Sequence, residues 1–258
     1  MNYLARIISI ISGKGGVGKT TCVLNLATSL ATKFNKRVAI VDCNITSSHL
    51  GLQLGLYGVP STLNNVLRQE TRVEQALYNY LPNLQVLPAS LNLSDLEKVD
   101  IKNLNRLLRK SFDNYDYVFL DAAAGFGKES ISAMLAADEI LFVTTPDIPS
   151  VTDIVKGKDL AEKLKLKSLG LVLNRVRNKK FELKQTEIAQ LTGLPILEMI
   201  PEDEKVLESL SLKTPMVSYK PNSRVSQSYF RIASSLTGQF YQPPKMNVFN
   251  RVRNIFKK

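Results

Sequence analysis

Residues 12–21 read Ser-Gly-Lys-Gly-Gly-Val-Gly-Lys-Thr-Thr. Gly13, four further residues and then Gly18-Lys19-Thr20 form the G-x-x-x-x-G-K-T pattern of a phosphate-binding loop. Glycines allow successive backbone N–H groups to turn inward around an anion, a turn that Cβ atoms would obstruct. The pattern predicts that Lys19 reaches the β- and γ-phosphates of a nucleotide and that the Thr20 hydroxyl is a ligand of Mg²⁺.

The sequence on either side of the loop supports this assignment. Residues 6–12 are an apolar, β-branched run that is typical of a buried parallel strand. From Thr20 to about Phe34 apolar residues recur at helical spacing, which predicts a helix whose N-terminal dipole points at the bound anion. Strand, loop and helix follow in the required order, so we expect the whole loop to contact nucleotide. The expected contacts are Gly13, Lys14, Gly15, Gly16, Val17, Gly18, Lys19, Thr20 and Thr21.

The rest of the chain alternates apolar strands with amphipathic helices and shows no break in composition. Such alternation is typical of α/β proteins, so we predict a doubly wound, mostly parallel sheet in a P-loop NTPase fold. A chain of 258 residues can bury a core that needs no disulfide or structural metal. We predict the ATPase domain at residues 1–241, a linker at 242–245 and a C-terminal amphipathic helix at 246–258.

Other features restrict the class of protein. Cys22 and Cys43 lack the spacing of metal ligands, and we expect both thiols to remain reduced in a cytoplasmic protein. His49 is the single histidine and cannot form a histidine metal cluster. The sequence predicts no signal peptide, and no apolar run of about eighteen residues predicts a membrane span.

The positive charge is concentrated near the C-terminal end of the sequence. The net charge of +11 favours an anionic partner, either nucleic acid or a membrane, and residues 245–258 carry five basic residues and no acid. At 100° per residue the apolar side chains of this segment share one arc of a helix. They are Val248, Phe249, Val252, Ile255 and Phe256. Such a helix predicts attachment to an anionic membrane; packing on its own domain or in a groove of another protein are the alternatives.

Three further apolar runs end in polar residues. The runs are residues 36–42, which lead into Asp42-Cys43-Asn44, residues 115–121, which end at Asp121, and residues 169–175, which end at Asn174 and Arg175. Ligands of doubly wound sheets bind at the carboxyl ends of the strands. We therefore expect these polar residues to lie beside the phosphate-binding loop.

Lys14 is a second lysine that an ordinary phosphate-binding loop does not require. The resulting pattern, K-G-G-V-G-K-T, resembles the deviant P-loop of the MinD/ParA family of dimerising ATPases, in particular its archaeal MinD-like members. The resemblance covers roughly residues 5–240. It implies ATP and Mg²⁺ as cofactors and an ATP-dependent homodimer, in which Lys14 crosses the interface and contacts the phosphates of the partner copy.

The resemblance also implies roles for the residues of the first switch. Asp42 matches an aspartate of the magnesium and phosphate network. Asn44 stands where the family has an aspartate that positions the attacking water; an amide can orient water, but it is a very poor proton acceptor. We therefore expect ATP binding to be retained and hydrolysis to be slow or differently organised. The expected catalytic residues are Lys14, Lys19, Asp42 and Asn44.

Further positions match the family in sequence order. Asp121 matches the Walker B aspartate, which holds Mg²⁺ through a water or through Thr20. Gly125 matches the glycine whose N–H meets the γ-phosphate, and Ala123 replaces the family's proline two residues earlier. We expect Mg²⁺ to be held by Thr20 and Asp121.

The base of the nucleotide is expected beside three residues. Asn174, next to Arg175, matches the family's adenine-reading asparagine, whose amide offers both a donor and an acceptor to the base edge. Pro201 lies in residues 200–203, which resemble the loop that closes over the base. Asp153 follows in a segment similar to the family's and is a candidate partner for Lys14 outside the dimer. The alternative is an acid in the first helical turn that favours the helix dipole.

A physical cycle follows from these expectations. One short helix binds a membrane weakly, whereas a dimer that presents two such helices binds far better by avidity. We hypothesise that the chain cycles between the cytoplasm and the inner face of the cell membrane to position a division site or another machine, with an unidentified protein partner. The alternatives are a ParA-like DNA-binding partition ATPase, for which residues 175–180 would supply basic side chains, and a nucleotide-gated scaffold with little hydrolysis.

Overall fold

A computed structural model of the chain describes residues 5–96, 99–101 and 104–244. Within these ranges eight strands form one sheet, and helices cover both of its faces. Strands β1 to β8 are Arg6–Ile11, Val38–Asp42, Tyr78–Leu81, Leu84–Leu87, Tyr117–Asp121, Glu139–Thr144, Lys167–Val176 and Ile196–Pro201. Helices α1 to α6 are Lys19–Lys33, Leu50–Leu54, Leu63–Leu67, Val73–Ala76, Leu104–Ser111 and Lys128–Ala136. Helices α7 to α11 are Ile148–Lys163, Gln185–Thr192, Lys205–Ser211, Met216–Tyr219 and Arg224–Thr237.

The strand order is β3-β4-β2-β5-β1-β6-β7-β8, and all neighbours are parallel except the β3–β4 hairpin. The chain therefore doubles back on both sides of β1, which confirms the predicted doubly wound, mostly parallel α/β fold. All seven parallel strands end at one edge of the sheet, here termed the carboxyl edge. The opposite side, where these strands begin, is termed the amino edge.

The central strands are apolar on both sides because each face of the sheet is covered by helices. In β1, Ile7 and Ile11 join the core beneath α5, α6, α7 and α8, whereas Ile8 and Ile10 join the core beneath α1, α10 and α11. This is the two-residue alternation of a strand, with both alternating faces buried. The apolar run at residues 6–12 thus reflects a position in the middle of the molecule.

The observed bounds follow the predicted ones closely, and one difference has a clear cause. β2 begins at Val38, two residues later than predicted, because Arg37 connects to another element. Its backbone N–H donates to Asp116 Oδ2 at 2.8 Å, and its carbonyl accepts from the backbone N–H of Asp116 at 2.8 Å. Arg37 therefore forms hydrogen bonds with Asp116, the residue before β5, instead of extending strand β2.

The last helix of the described chain is α11, which ends at Thr237 and is followed by Gly238 with φ 67°. A left-handed glycine is a common way to end a helix. The predicted membrane-binding residues, from Val248 to Phe256, lie outside the described residues. Among the helices that the structure describes, none is long and apolar enough to cross a membrane.

Candidate functional site

The phosphate-binding loop joins β1 to α1 at the carboxyl edge of the sheet. Gly16 and Gly18 have φ values of 76° and 97°, in the left-handed region that side chains disfavour. Gly13 is restricted in another way, because a Cβ at this position would lie 2.1 Å from the Cβ of Asp153 on α7. The glycines of the motif therefore serve both the turn of the loop and the close approach of α7.

Lys19 is the first residue of α1 and is only 8% exposed. Its Nζ donates to the Ser12 hydroxyl at 2.8 Å, and that hydroxyl donates to the carbonyl of Lys14 at 2.7 Å. Burial lowers the pKa of Lys19, against the opposing effect of the Asp121 charge. An ammonium group has three donors, so Lys19 retains N–H groups with which to bind phosphate oxygens.

Asp42 and Asp121 end two neighbouring parallel strands and lie directly opposite each other in the ladder. Both side chains are buried. Asp42 accepts hydrogen bonds from the Ser48 hydroxyl at 2.6 Å and from the Asn44 backbone N–H at 3.1 Å. Asp121 Oδ1 has no hydrogen-bond partner among the described residues. The two carboxylates therefore share a dry position immediately beneath the phosphate-binding loop.

The two carboxylates are costly to ionise together. Burial and the charge of Asp121 raise the pKa of Asp42 to about 8, against the lowering effect of its hydrogen bonds. Burial also raises the pKa of Asp121 to about 6, although a hydrogen bond from Thr20 and the charge of Lys19 lower it. Close carboxylates without a cation resist deprotonation because each negative charge disfavours the other.

These residues fit the magnesium ion that the sequence predicts. Mg²⁺ prefers oxygen ligands and often keeps several waters in its coordination shell. The partnerless Oδ1 of Asp121 and the hydroxyl of Thr20 are such oxygens, beside the loop that binds the phosphates. Thr20 would hold the ion directly and Asp121 through a water or through Thr20, as predicted. The ion would supply positive charge that offsets the charges of the phosphates and of the buried carboxylates.

Two predicted contacts with the phosphate end of the nucleotide are engaged within the protein. The Asn44 side-chain amide donates to the Ser47 carbonyl at 2.5 Å. The Gly125 N–H donates to the Ser12 carbonyl at 3.0 Å, so it does not point freely toward a γ-phosphate as the resemblance implies. Gly125 must exchange this bond to meet the phosphate. Asn44 lines a cavity of about 850 Å³ beside the P-loop.

A second cavity, of about 490 Å³, adjoins the other side of the loop, where β7 and β8 end. Asn174, Arg175 and Pro201 line it, together with apolar side chains that include Tyr229. Asn174 Nδ2 donates to the Val17 carbonyl at 2.7 Å, which leaves Oδ1 to accept from a base amino group. The sheet thus places all three predicted base contacts in one cavity next to the phosphate loop.

Asp153 has neither of the two predicted roles. It forms an ion pair at 3.2 Å with Lys156, not with Lys14, because the two side chains are neighbours on the surface of α7. It also lies beyond the first turn of this helix, which contains no acid. The helix is capped by Asp147, whose carboxylate accepts from the Ser150 N–H at 3.0 Å.

Lys14 lies near Asp147 at the rim of the site. Hydrogen bonds from Thr145 and Ser150 outweigh the effect of burial and lower the pKa of Asp147, and the charge of Lys14 adds to this lowering. The Lys14 side chain is half-buried and forms no ion pair within the described part of the chain. Its ammonium group is therefore available to a further anion.

Two residues that shape the site were not identified from the sequence. Ser12 holds Lys19, and Ser48 holds Asp42. Ser12 gave a usable signal, since it is the polar last residue of an apolar run that leads into the glycines. Ser48 gave none, because it lies six residues after Asp42 in a loop whose course the sequence pattern does not define.

We expect Asp42→Asn to stabilise the nucleotide-free protein. A carboxyl group whose pKa is raised to about 8 by folding contributes stability below about pH 4 and loses it as the pH rises through 8. Asparagine keeps an acceptor for the Asn44 N–H and cannot ionise. The melting temperature of Asp42→Asn should therefore exceed that of the wild type by at least about 3 °C at pH 8.

The same comparison at pH 5 is the control, because only about one of the four pH units over which Asp42 loses stability has then been passed, so the excess melting temperature should be several-fold smaller than at pH 8. Differential scanning calorimetry without nucleotide or Mg²⁺ measures both values. A variant that is less stable than the wild type at pH 8 would show that Asp42 is not strained by its charge.

Comparisons with known proteins all indicate the same family. A ParA-group family model described as NUBPL iron-transfer P-loop NTPase matches residues 3–237. An ATP-binding protein of Methanocaldococcus jannaschii is 38% identical, over 90% of this chain and 88% of its own length. Iron transfer does not follow from that description, because Cys22 and Cys43 lie buried in cores on opposite faces of the sheet.

Solved structures extend the similarity to three dimensions. The cell division ATPase MinD of Pyrococcus furiosus superposes with a TM-score of 0.87 and 34% identity, over 91% of this chain and 99% of its own. The septum site-determining protein MinD of Pyrococcus horikoshii, solved with Mg-ADP, superposes with a TM-score of 0.86 and 33% identity, over 90% of this chain and 96% of its own. The chain therefore belongs to the MinD/ParA family of P-loop NTPases, as an ATPase that uses ATP with Mg²⁺.

Proposed function

We propose that ATP·Mg²⁺ joins two copies of this chain and that the dimer docks on an anionic membrane to position a cellular machine. The observation that carries the proposal is Lys14, an additional P-loop lysine with no ion pair among the described residues. Lys19 already serves the phosphates bound by its own loop. A second ammonium group at the rim suits phosphates that approach from outside, as those of a second copy would.

The surface around Lys14 supports such an approach. Gly15 and Gly16, next to Lys14 in the loop, are exposed. Ile148, at the start of helix α7, is 66% exposed although it is apolar. Burial of this side chain between two copies would add to their affinity. These features favour the carboxyl edge as the side on which the two copies meet.

The membrane part of the proposal rests on residues 245–258. Their composition, with five basic residues, no acid and an apolar helical arc, suits the interface of an anionic bilayer. Each basic side chain near such a surface contributes roughly 1 kcal/mol, so one segment binds weakly. Two segments on one dimer act together, and avidity can strengthen binding by about 10² or more. Nucleotide binding would thereby control the location of the protein.

The relatives named as cell division and septum site-determining proteins favour a machine of cell division as the cargo. Separation of the dimer after hydrolysis or loss of nucleotide would return the chain to the cytoplasm. We include a protein partner that stimulates this step as part of the proposal. We expect this partner protein to bind the surface of the membrane-bound dimer.

Liposome co-sedimentation with anionic lipid tests the proposal. We expect the full chain to pellet about tenfold more with ATP than with ADP, because only the dimer offers two membrane segments. Residues 1–244, which contain the described fold but lack the segment, should lose the ATP-dependent part of the pelleting. Lys14→Ala is the matched control: it should bind ATP with nearly wild-type affinity yet remain in the supernatant as a monomer. Absence of pelleting by the full chain with every nucleotide would refute the membrane proposal.

A ParA-like DNA-binding function is the second candidate, and one observation favours it. Arg177, Lys179 and Lys180 are exposed on the loop that follows β7, and Arg175 is exposed near the end of that strand. Arg177 is already engaged by Glu202, which reduces the charge available to a phosphate backbone. Under this candidate, residues 1–244 would retain salt-sensitive DNA binding that the membrane proposal does not require.

Slow hydrolysis is a further part of the proposal, and it keeps the scaffold alternative open. The Asn44 amide is tied to Ser47 and offers the attacking water no strong base. Asn44→Asp replaces this donor by a carboxylate, which cannot keep the bond to the Ser47 carbonyl and can accept a proton. We expect phosphate release at saturating Mg·ATP to rise about tenfold or more.

Asn44→Ala controls for release of the loop, since it also removes the bond to Ser47 but adds no base. Its rate should not exceed that of the wild type. Equal rates for Asn44→Asp and the wild type would show that the missing carboxylate does not limit turnover. No turnover by the wild type, even with vesicles, would support a nucleotide-gated scaffold.

A further inference from the structure

The described chain leaves the fold at a defined corner of the amino edge. The carbonyl of Leu236, at the end of α11, accepts hydrogen bonds from Arg6 Nη1 at 2.9 Å and from the Tyr117 hydroxyl at 2.9 Å. Arg6 and Tyr117 are the first residues of β1 and β5. The end of α11 is thus fixed to the starting points of the two central strands.

The segment after α11 is held to the end of α1. The ring of Tyr241 packs against Phe230 and Phe34, with centroid distances of 5.2 and 6.4 Å, and its hydroxyl donates to Gln227 Oε1 at 2.6 Å. The ammonium group of Lys33 lies 5.8 Å from the Tyr241 ring centroid, within the range of a cation–π interaction. Tyr241, near the end of the described residues, is therefore held at a fixed place beside the last turn of α1.

This place carries positive charge. Lys33, Lys36 and Arg37 follow one another closely at the end of α1, and none forms an ion pair with a described carboxylate. The neighbouring acids are engaged: Glu139 by Arg6 and Lys167, and Asp138 by Arg109. Asp116 also lies here and accepts from the Arg37 backbone N–H. Six basic and three acidic side chains leave this corner positive.

Phe240 is the exception to the packed aromatic residues of the corner, since it is 89% exposed. Its neighbour Tyr241 packs on the protein beside Lys33, whereas Phe240 is left in contact with solvent one residue away. Large aromatic residues partition well into the interfacial region of a bilayer. An exposed phenylalanine next to unpaired lysine and arginine side chains is the combination that an anionic lipid surface binds.

We propose that the exit corner, defined as Lys33, Lys36, Arg37 and Phe240, is a second membrane-contact site on the folded body. The basic residues bind lipid headgroups, and Phe240 enters the interface. This inference rests on the proposed membrane function, to which it adds a site of its own. It gives the body a fixed orientation on the lipid surface, which a membrane segment on a free linker would not.

The distances along the chain favour simultaneous contact. Val248, the first residue of the predicted apolar arc, lies seven residues after Tyr241. Seven residues span at most about 25 Å, so the corner remains close to the bilayer whenever the arc is inserted. Electrostatic attraction acts over a screening length of about 8 Å at physiological salt. The tether therefore raises the time that the corner spends within reach of the lipid charge.

Single-tryptophan fluorescence tests this proposal, because the natural chain contains no tryptophan. Phe240→Trp reports on the corner, Phe249→Trp reports on the C-terminal segment, and Tyr57→Trp is the matched control. Tyr57 is an exposed aromatic residue after α2, on the side of the carboxyl edge. Each full-length variant is mixed with ATP and vesicles of phosphatidylglycerol and phosphatidylcholine, with brominated lipid as a quencher.

We expect blue-shifted, bromine-quenched emission from both Phe240→Trp and Phe249→Trp and unchanged emission from Tyr57→Trp. A shift of Phe249→Trp alone would overturn the exit corner and leave the proposed membrane function intact. No shift at either position would refute both. A shift of all three would indicate non-specific adsorption and would also overturn the corner.

Charge variants test the same site by affinity. Lys36→Gln/Arg37→Gln removes two charges from the corner, and Lys179→Gln/Lys180→Gln removes two exposed charges from the loop after β7. We expect the first pair to weaken binding to phosphatidylglycerol vesicles about tenfold and the second to change it less than twofold. Equal losses would overturn the proposal. Loss of affinity for duplex DNA but not for vesicles in the first pair would assign the corner to nucleic acid instead.

Discussion

The constraint on which the site depends is the burial of two carboxylates beside an ammonium group under the phosphate-binding loop. Asp42 and Asp121 are adjacent in the ladder because β2 and β5 are parallel neighbours that end together. The sheet supplies this proximity, and the helices on both faces exclude water from it. Without a cation the pair is strained, as the raised pKa values of both groups show. The buried carboxylates lower the stability of the nucleotide-free protein, and they suit the binding of Mg²⁺ with a nucleotide.

Much of this arrangement could be predicted from the sequence. The glycines, Lys19 and Thr20 form a motif whose chemistry predicts the strand before it and the helix after it. An apolar run before each of Asp42, Asp121 and Asn174 predicts that these residues lie near the ends of strands, as they do. The loops were less predictable. Ser48 reaches Asp42 through a fold-back, Gly125 donates to Ser12, and Asp153 pairs with Lys156 along its own helix. The contacts of Ser48 and Gly125 depend on loop geometry, for which hydrophobic spacing carries no information, whereas the Asp153–Lys156 pair follows from the three-residue spacing of a helix.

We propose different roles for the two edges of the sheet: nucleotide binding and dimer contact at the carboxyl edge, and membrane contact at the amino edge. In the proposed dimer the carboxyl edge holds nucleotide, and its exposed Ile148 and nearby Lys14 would meet the second copy. At the amino edge α1 and α11 end together, and Tyr241 packs against Phe34 and Phe230. Helix α1 links the two edges: it begins at Lys19 in the phosphate site and ends at Lys33 beside Tyr241. A rigid helix of this kind keeps the nucleotide site and the exit corner at a fixed distance from each other.

The central claim is that Mg·nucleotide completes a site whose carboxylates resist ionisation without it. Isothermal titration calorimetry of Mg·ATP binding at pH 7, in buffers of different ionisation enthalpy, counts the protons exchanged. With a pKa of about 8 in the nucleotide-free protein, Asp42 is mostly protonated at pH 7 and should lose its proton when the cation enters, whereas Asp121, with a pKa of about 6, is already mostly ionised. The account predicts net release of protons, and release should fall in Asp42→Asn. Net uptake, or binding without any exchange of protons, would contradict it.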